Sequence, residues 1–171
     1  MPRPRLVLIR HAQAGSPEDW GGADRDRPLT GRGLVSAGQM ATALSGLLPL
    51  SSLVLTSSPW LRARQTAAPL AGLLGVPVRQ KKWLAPGQFA GLEVQAELAE
   101  LPEDGVLVIV GHEPDLSSLA GRLLGLRQGD AAVHLGKGDA CALAGALPGP
   151  MQLVWHLPRR VLERLAMHEE A

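Results

Sequence analysis

The chain has 171 residues, 46% of them hydrophobic and only 3% aromatic, with a net charge of +1. That length is enough to bury an aliphatic core in one domain spanning residues 1–171. The 17 basic residues are dispersed without a run or stripe, which argues against a nucleic-acid partner. The lone Cys141 excludes an internal disulfide, and the apolar run after Arg5 is too short for a signal-peptide core or membrane span, so a soluble, cytoplasmic monomer is expected.

Leu6 to Ile9 is a continuous apolar stretch suited to a central strand buried on both faces, and it stops at Arg10-His11. The aperiodic stretch to about Leu29, rich in Gly, Asp, Arg and Pro, reads as a surface loop. Thr30 then fits a helix N-cap, with Leu34, Ala37, Ala41, Leu44 and Leu48 at helical spacing up to Pro49. Leu53 to Thr56 predicts a second strand. Ser57-Ser58-Pro59 follows it as the start of a second helix, with Trp60, Ala63, Ala67, Leu70, Ala71 and Leu74 inward, a kink at Pro69 and a stop at Gly75.

Val76 to Arg79 predicts a third strand, and Leu92 to Leu101 a helix ended by Pro102. Val106 to Val110 is the clearest strand and ends at Gly111-His112-Glu113-Pro114, with a helix from about Asp115 to Leu124 beyond it. Ala131 to Leu135, Asp139 to Ala144 and Gln152 to Leu157 read as strands, and Pro158 to Met167 as a terminal helix. The alternation of strand and helix over residues 5 to 124 predicts an α/β three-layer sandwich, a mostly parallel sheet with helices on both faces.

In such a sheet, ligands bind outside the carboxyl ends of the strands. Three strand ends there carry reactive or cationic residues: Arg10 and His11, Ser57 and Ser58 with Arg62 a turn later, and His112. Two arginines offer planar forks of donors to a phosphoryl group. A histidine whose second ring nitrogen is held by an acceptor can attack phosphorus, which suits His11, while a protonated His112 would add positive charge. This chemistry requires neither a metal nor a cofactor.

Taken together, Arg10-His11-Ala12, Leu29-Thr30-Gly31-Arg32-Gly33, the run from Ser58 to Thr66 and Gly111-His112-Glu113-Pro114 resemble the histidine phosphatase, or phosphoglycerate-mutase-like, superfamily. The resemblance implies that His11 is the phosphorylated nucleophile and that Arg10, Arg62 and His112 form the phosphate pocket. Ala12, where many members have glycine, and the short chain are similar to the SixA-type phosphohistidine phosphatases. Gln13 departs from the acidic residue frequent in that branch. Gln13 and Ser16, both in the loop after His11, are expected to contact substrate.

Members acting on alcohol phosphates usually carry a general-acid carboxylate after the second helix, and none stands between Val76 and Leu92. An imidazole leaving group needs less protonation, so the expected substrate is phosphohistidine on a protein, such as a signalling phosphotransfer domain. Glu18, Asp19 and Glu113 are the alternative acids. A small-molecule phosphomonoesterase or mutase, and a non-catalytic phosphate-binding module, are the competing readings.

His134, His156 and His168 lack such context and read as structural or surface residues, Ser57 and Ser58 as cap and turn residues, and Arg25, Arg27, Arg32 and Arg64 by default as solvated charges, with Arg25 and Arg27 in a loop that could border the site and bind the remainder of a substrate. His112-Glu113 lacks the second histidine of a zinc-protease motif, since position 116 is Leu. Gly136-Lys137-Gly138 has the composition of a phosphate loop without its spacing, and no Gly-x-Ser-x-Gly elbow occurs.

Overall fold

The computed structural model describes residues 2–48, 52–88, 91–127, 133–147 and 149–169. Six strands form one sheet in the order β3-β2-β4-β1-β5-β6: β1 (Leu6–Arg10), β2 (Leu53–Ser57), β3 (Val78–Gln80), β4 (Val106–Gly111), β5 (Ala140–Ala144) and β6 (Gln152–Leu157). The first four are mutually parallel, β5 runs antiparallel to β1, and β6 antiparallel to β5. Both central strands, β1 and β4, are apolar at nearly every position because each face is covered.

Val7, Ile9, Val108 and Val110 face one core, shared with α1 (Gly31–Leu47), α2 (Leu61–Leu74) and α5 (Arg159–Glu169) through Met40, Leu44, Ala67, Leu70 and Leu162. Leu6, Leu8, Leu107 and Ile109 face the other, against α3 (Leu92–Glu100) and α4 (Asp115–Leu123) through Leu98, Leu116 and Leu119. The sheet thus carries helices on both faces, as the strand–helix alternation predicts. Among the described residues, no helix is long and apolar enough to cross a membrane.

Thr30 caps α1 as expected, its side chain accepting from the Gly33 N–H. Three expectations shift. Helix α2 starts at Leu61 and not at Pro59, because Ser58 Oγ accepts the Trp60 N–H and holds Trp60 extended, out of the helix interior. Strand β3 starts two residues late because Gly75 turns left-handed at the end of α2 and the Val76 N–H is spent on the Ala71 carbonyl. Of the strand expected over 131–135, positions 131–132 lie outside the described residues, and 133–135 have no strand pairing. Pro69 is accommodated within α2, which continues to Leu74.

Candidate active site

Register places the site. Arg10 pairs with Gly111 across β1 and β4, and Ser57 pairs with Val110 across β2 and β4, so three strands end level with one another. The next residue of each chain segment leaves the sheet at the same height: the His11 N–H donates to the Gly111 carbonyl at 3.0 Å and the Ser58 N–H to the Val110 carbonyl at 2.9 Å. His11 and His112 therefore meet, with ring centroids 5.1 Å apart and ring planes at 58°.

Both histidines are buried, His11 7% and His112 3% exposed. His11 Nδ1 lies 2.8 Å from the carbonyl of Ala12. A carbonyl only accepts, so Nδ1 carries the proton and Nε2 keeps its lone pair. Burial pulls the His11 pKa from 6.5 to about 4, the Ala12 bond opposing and the charges of Arg62, Arg10 and Lys137 adding to the fall. Burial likewise takes His112 down to about 3, with His11 and Arg62 contributing. Burial thus keeps His112 neutral at pH 7, so the condition set on its positive charge, protonation, is not met by the protein alone. His112 Nε2 lies 2.8 Å from Ser58 Oγ, while its Nδ1 is buried without a partner.

The two arginines differ in how they are held. Arg10 Nη1 donates to the Leu135 carbonyl at 2.8 Å, and its Nε is buried and unpartnered. Arg62, 5% exposed, donates from Nη1 to the Asp24 carbonyl at 2.8 Å and from Nη2 to Asp24 Oδ2 at 3.2 Å, leaving its Nε buried and unpartnered. Asp24 opens a single 3-10 turn over Asp24–Asp26 in the loop after β1. Its second oxygen accepts from Arg27 Nε at 2.6 Å, and this bond chiefly holds the carboxyl below its usual range. Arg27, expected to be a solvated charge, is 8% exposed and also donates to the Gly15 carbonyl.

Residues around the cluster fasten it. The Ala12 N–H donates to Thr66 Oγ1, which donates in turn to the Arg62 carbonyl, tying the His11 segment to α2. Leu29-Thr30-Gly31-Arg32-Gly33 holds the other side, since the Thr30 N–H and hydroxyl both donate to the Gln13 carbonyl. A Cβ at Gly33 would stand 2.0 Å from that same carbonyl oxygen, so only glycine fits. Trp60 packs edge-on to His112 at 5.4 Å, with the Arg62 guanidinium 4.5 Å over its ring.

The fold thus brings together His11, His112 and Arg62, with Arg10 at the end of β1 beside them. Gln13 and Ser16 are not drawn into this group: the Gln13 side chain is exposed, and Ser16 Oγ donates to Glu18 Oε2 at 2.7 Å. Glu18 and Asp19 are exposed, and Glu113 Oε1 accepts from Ser117. Ser58 is the turn residue the sequence suggests, yet it also touches His112. Asp24 carries no spacing signal of its place in the sequence, and Thr66 stands in the run from Ser58 to Thr66 without a role, because each acts through a partner 38 or 54 positions away. The density of Asp and Arg around position 24 was the available signal. Among the described residues, no group of three or more His, Cys, Asp or Glu side chains is placed to hold a metal ion.

Comparison with known proteins gives the family and the fold. Residues 6–106 match the family model of the histidine phosphatase superfamily, branch 1. An uncharacterized protein of Mycobacterium tuberculosis is 38% identical over 129 residues, 73% of this chain and 75% of that one. A solved structure designated SixA, from Nakamurella multipartitia, is 30% identical with a TM-score of 0.69, covering 91% of this chain and 97% of that one. The protein histidine phosphatase SixA complexed with tungstate shares the fold at a TM-score of 0.74 and 21% identity, over 92% of this chain and 98% of that one. A mycobacterial glucosyl-3-phosphoglycerate phosphatase complexed with inorganic phosphate shares it at 0.68 and 21% identity, over 92% and 99%. On the matched span, the motif order and the meeting of His11 with His112, the chain belongs to branch 1 of the histidine phosphatase superfamily.

Proposed function

We propose that this protein is a metal-independent phosphatase that removes the phosphoryl group from phosphohistidine on a protein. His11 is the nucleophile, and Arg10, Arg62 and His112 bind and stabilise the phosphoryl oxygens. The observation that carries this reading is the Nδ1 contact of His11 with the Ala12 carbonyl at 2.8 Å, which leaves Nε2 a neutral nucleophile in a buried cationic site. The unpartnered Nε–H groups of Arg10 and Arg62 supply donors that phosphoryl oxygens satisfy, and His112 Nδ1 adds one when the ring is protonated.

In the first step, His11 Nε2 bonds to phosphorus as the bond from phosphorus to the substrate imidazole breaks, and that imidazole leaves taking a proton from water. In the second, water attacks the phosphohistidine, releasing inorganic phosphate and restoring His11. Two features favour phosphohistidine. The carboxylate in contact with the cluster, Asp24, is committed to Arg27 and Arg62, and imidazole departs without a strong acid. The SixA proteins are among the structural relatives.

A small-molecule phosphomonoesterase is the second reading, favoured by the shared fold of the glucosyl-3-phosphoglycerate phosphatase. Hydrolysis rates in EDTA on a phosphohistidine peptide, a sugar phosphate and phosphoglycerate separate the two. Preference for the peptide is expected; strong preference for a sugar phosphate rejects the phosphohistidine assignment.

A further inference from the structure

We infer that the hollow between the Gly136-Lys137-Gly138 turn and the start of α5 is an anion subsite, and that the substrate carries a carboxylate or second phosphate there. This rests on His11 being the phosphoryl site, since the subsite would take the part of the substrate beyond that group. The hollow has a volume of about 370 Å³ and is lined by Gln13, Lys137, Asp139, Arg159 and Arg160 among others. That volume lies at the lower end of small-ligand sites.

Its charge is unbalanced toward cations. The one acid among its described lining residues, Asp139, is spent on the backbone: Oδ2 accepts from the Gly136 N–H at 2.8 Å and Oδ1 from the Arg159 N–H at 2.7 Å. His156 lies 3.7 Å from Oδ2 of the same carboxylate, and Arg159 is paired with Glu163. Lys137 and Arg160 are exposed and form no ion pair among the described residues. Uncompensated cations converging on a concavity raise the local concentration of anions and fix their orientation.

The hollow is fastened to the catalytic strand end. The Gly138 N–H donates to the carbonyls of His11 at 3.2 Å and Arg10 at 3.3 Å, and the Asp139 carbonyl accepts from the Arg10 N–H at 3.1 Å. Gly138 has a φ of +82°, and a Cβ there would stand 3.2 Å from Arg159 Cδ, so the turn and the start of α5 are packed closely. Lys137 is near enough for its charge to depress the His11 pKa. The hollow thus borders the segment that carries His11, and under this proposal one substrate engages both.

The test compares substrates that differ in charge beyond the phosphoryl group. One arm sets a phosphohistidine peptide flanked by glutamates against the same peptide flanked by glutamines; the other sets 3-phosphoglycerate against glycerol 3-phosphate. In the Lys137→Ala/Arg160→Ala double variant, the anionic-to-neutral ratio of kcat/KM should fall about fivefold to tenfold in at least one arm, and that arm identifies the source of the anion. Taking the ratio cancels any effect on His11 common to both substrates. An unchanged ratio in both arms overturns the subsite.

Calorimetric titration with pyrophosphate and with phosphate keeps the test independent of turnover. Wild-type protein should prefer pyrophosphate, and the double variant should lose that preference; equal preference in the two proteins overturns the subsite. If no substrate is hydrolysed while the pyrophosphate preference behaves as expected, it is the phosphatase reading that fails and not the subsite.

Discussion

Arg62 and Asp24 form a charge pair in which the buried guanidinium donates to both the carbonyl and the carboxylate of the same residue, at 2.8 and 3.2 Å. The partner is 45% exposed while the arginine side chain is 6% exposed, so the pair is open to solvent on the Asp24 side. Asp24 thereby partly neutralises the arginine assigned to the phosphoryl group. Asp24→Asn should tighten vanadate binding by about threefold to tenfold, since one negative charge beside the bound anion is removed. Weaker binding would mean instead that the carboxylate is needed to aim Arg62. Direct titration of vanadate against the two proteins decides the sign.

The depressed histidines make folding stability depend on acid. In the unfolded chain, His11 and His112 protonate near 6.5, while in the folded chain they resist until about 4 and about 3. Between those limits the unfolded state binds more protons, so stability falls as pH drops from about 6.5 toward 3. Urea midpoints should therefore decline between pH 7 and pH 4. The decline should be shallower in a His11→Gln/His112→Gln variant; an equal slope would assign the acid sensitivity to other groups.

Anion binding should reverse that depression. A dianion placed against His112 favours its charged form, so binding is coupled to proton uptake. Sulfate keeps its charge across the neutral range and makes a clean probe. Its affinity should rise from pH 8 to pH 6 in the wild type and lose most of that dependence in His112→Gln. A pH-independent affinity in the wild type would contradict this coupling.

Gly33→Ala should destabilise the protein by roughly 2 kcal/mol or more, because the new methyl would collide with the Gln13 carbonyl that Thr30 also grips. The strain falls on the segment directly after His11, so kcat should drop as well. Thermal denaturation and steady-state rates on one sample measure both effects. Gly31→Ala is the control, since a Cβ there meets nothing within 4 Å.

Ser58→Ala should lower kcat about tenfold with little change in KM, because the contact holding His112 Nε2 is lost while both arginines remain. Ser58→Thr keeps a hydroxyl and should recover much of the rate. A change confined to KM would instead make Ser58 a substrate contact.

The strand ends were legible because each combines a short apolar run with an abrupt cationic or histidine residue, and parallel strands deliver such ends to one rim. Arg10, His11, Arg62 and His112 could be assembled on that basis. Asp24 could not, because an aspartate in an aperiodic loop carries no spacing that fixes where it lands. Its place depends on the Ala14–Leu29 bridge, on the Gln65 side chain accepting the Leu29 N–H, and on the Arg27 contact with Gly15. The protonation of His112 was also beyond sequence, since it follows from burial beside another histidine. The late start of α2 turned on one serine bond that competes with the helix.

The most direct measurement of the central claim is trapping of the phosphoryl group. Protein mixed with a labelled phosphohistidine peptide in EDTA and quenched in alkali, where phosphohistidine survives, should carry label on the peptide containing His11. His11→Ala should carry none and should not turn over. Label on another residue, or full turnover by His11→Ala, would contradict His11 as the nucleophile.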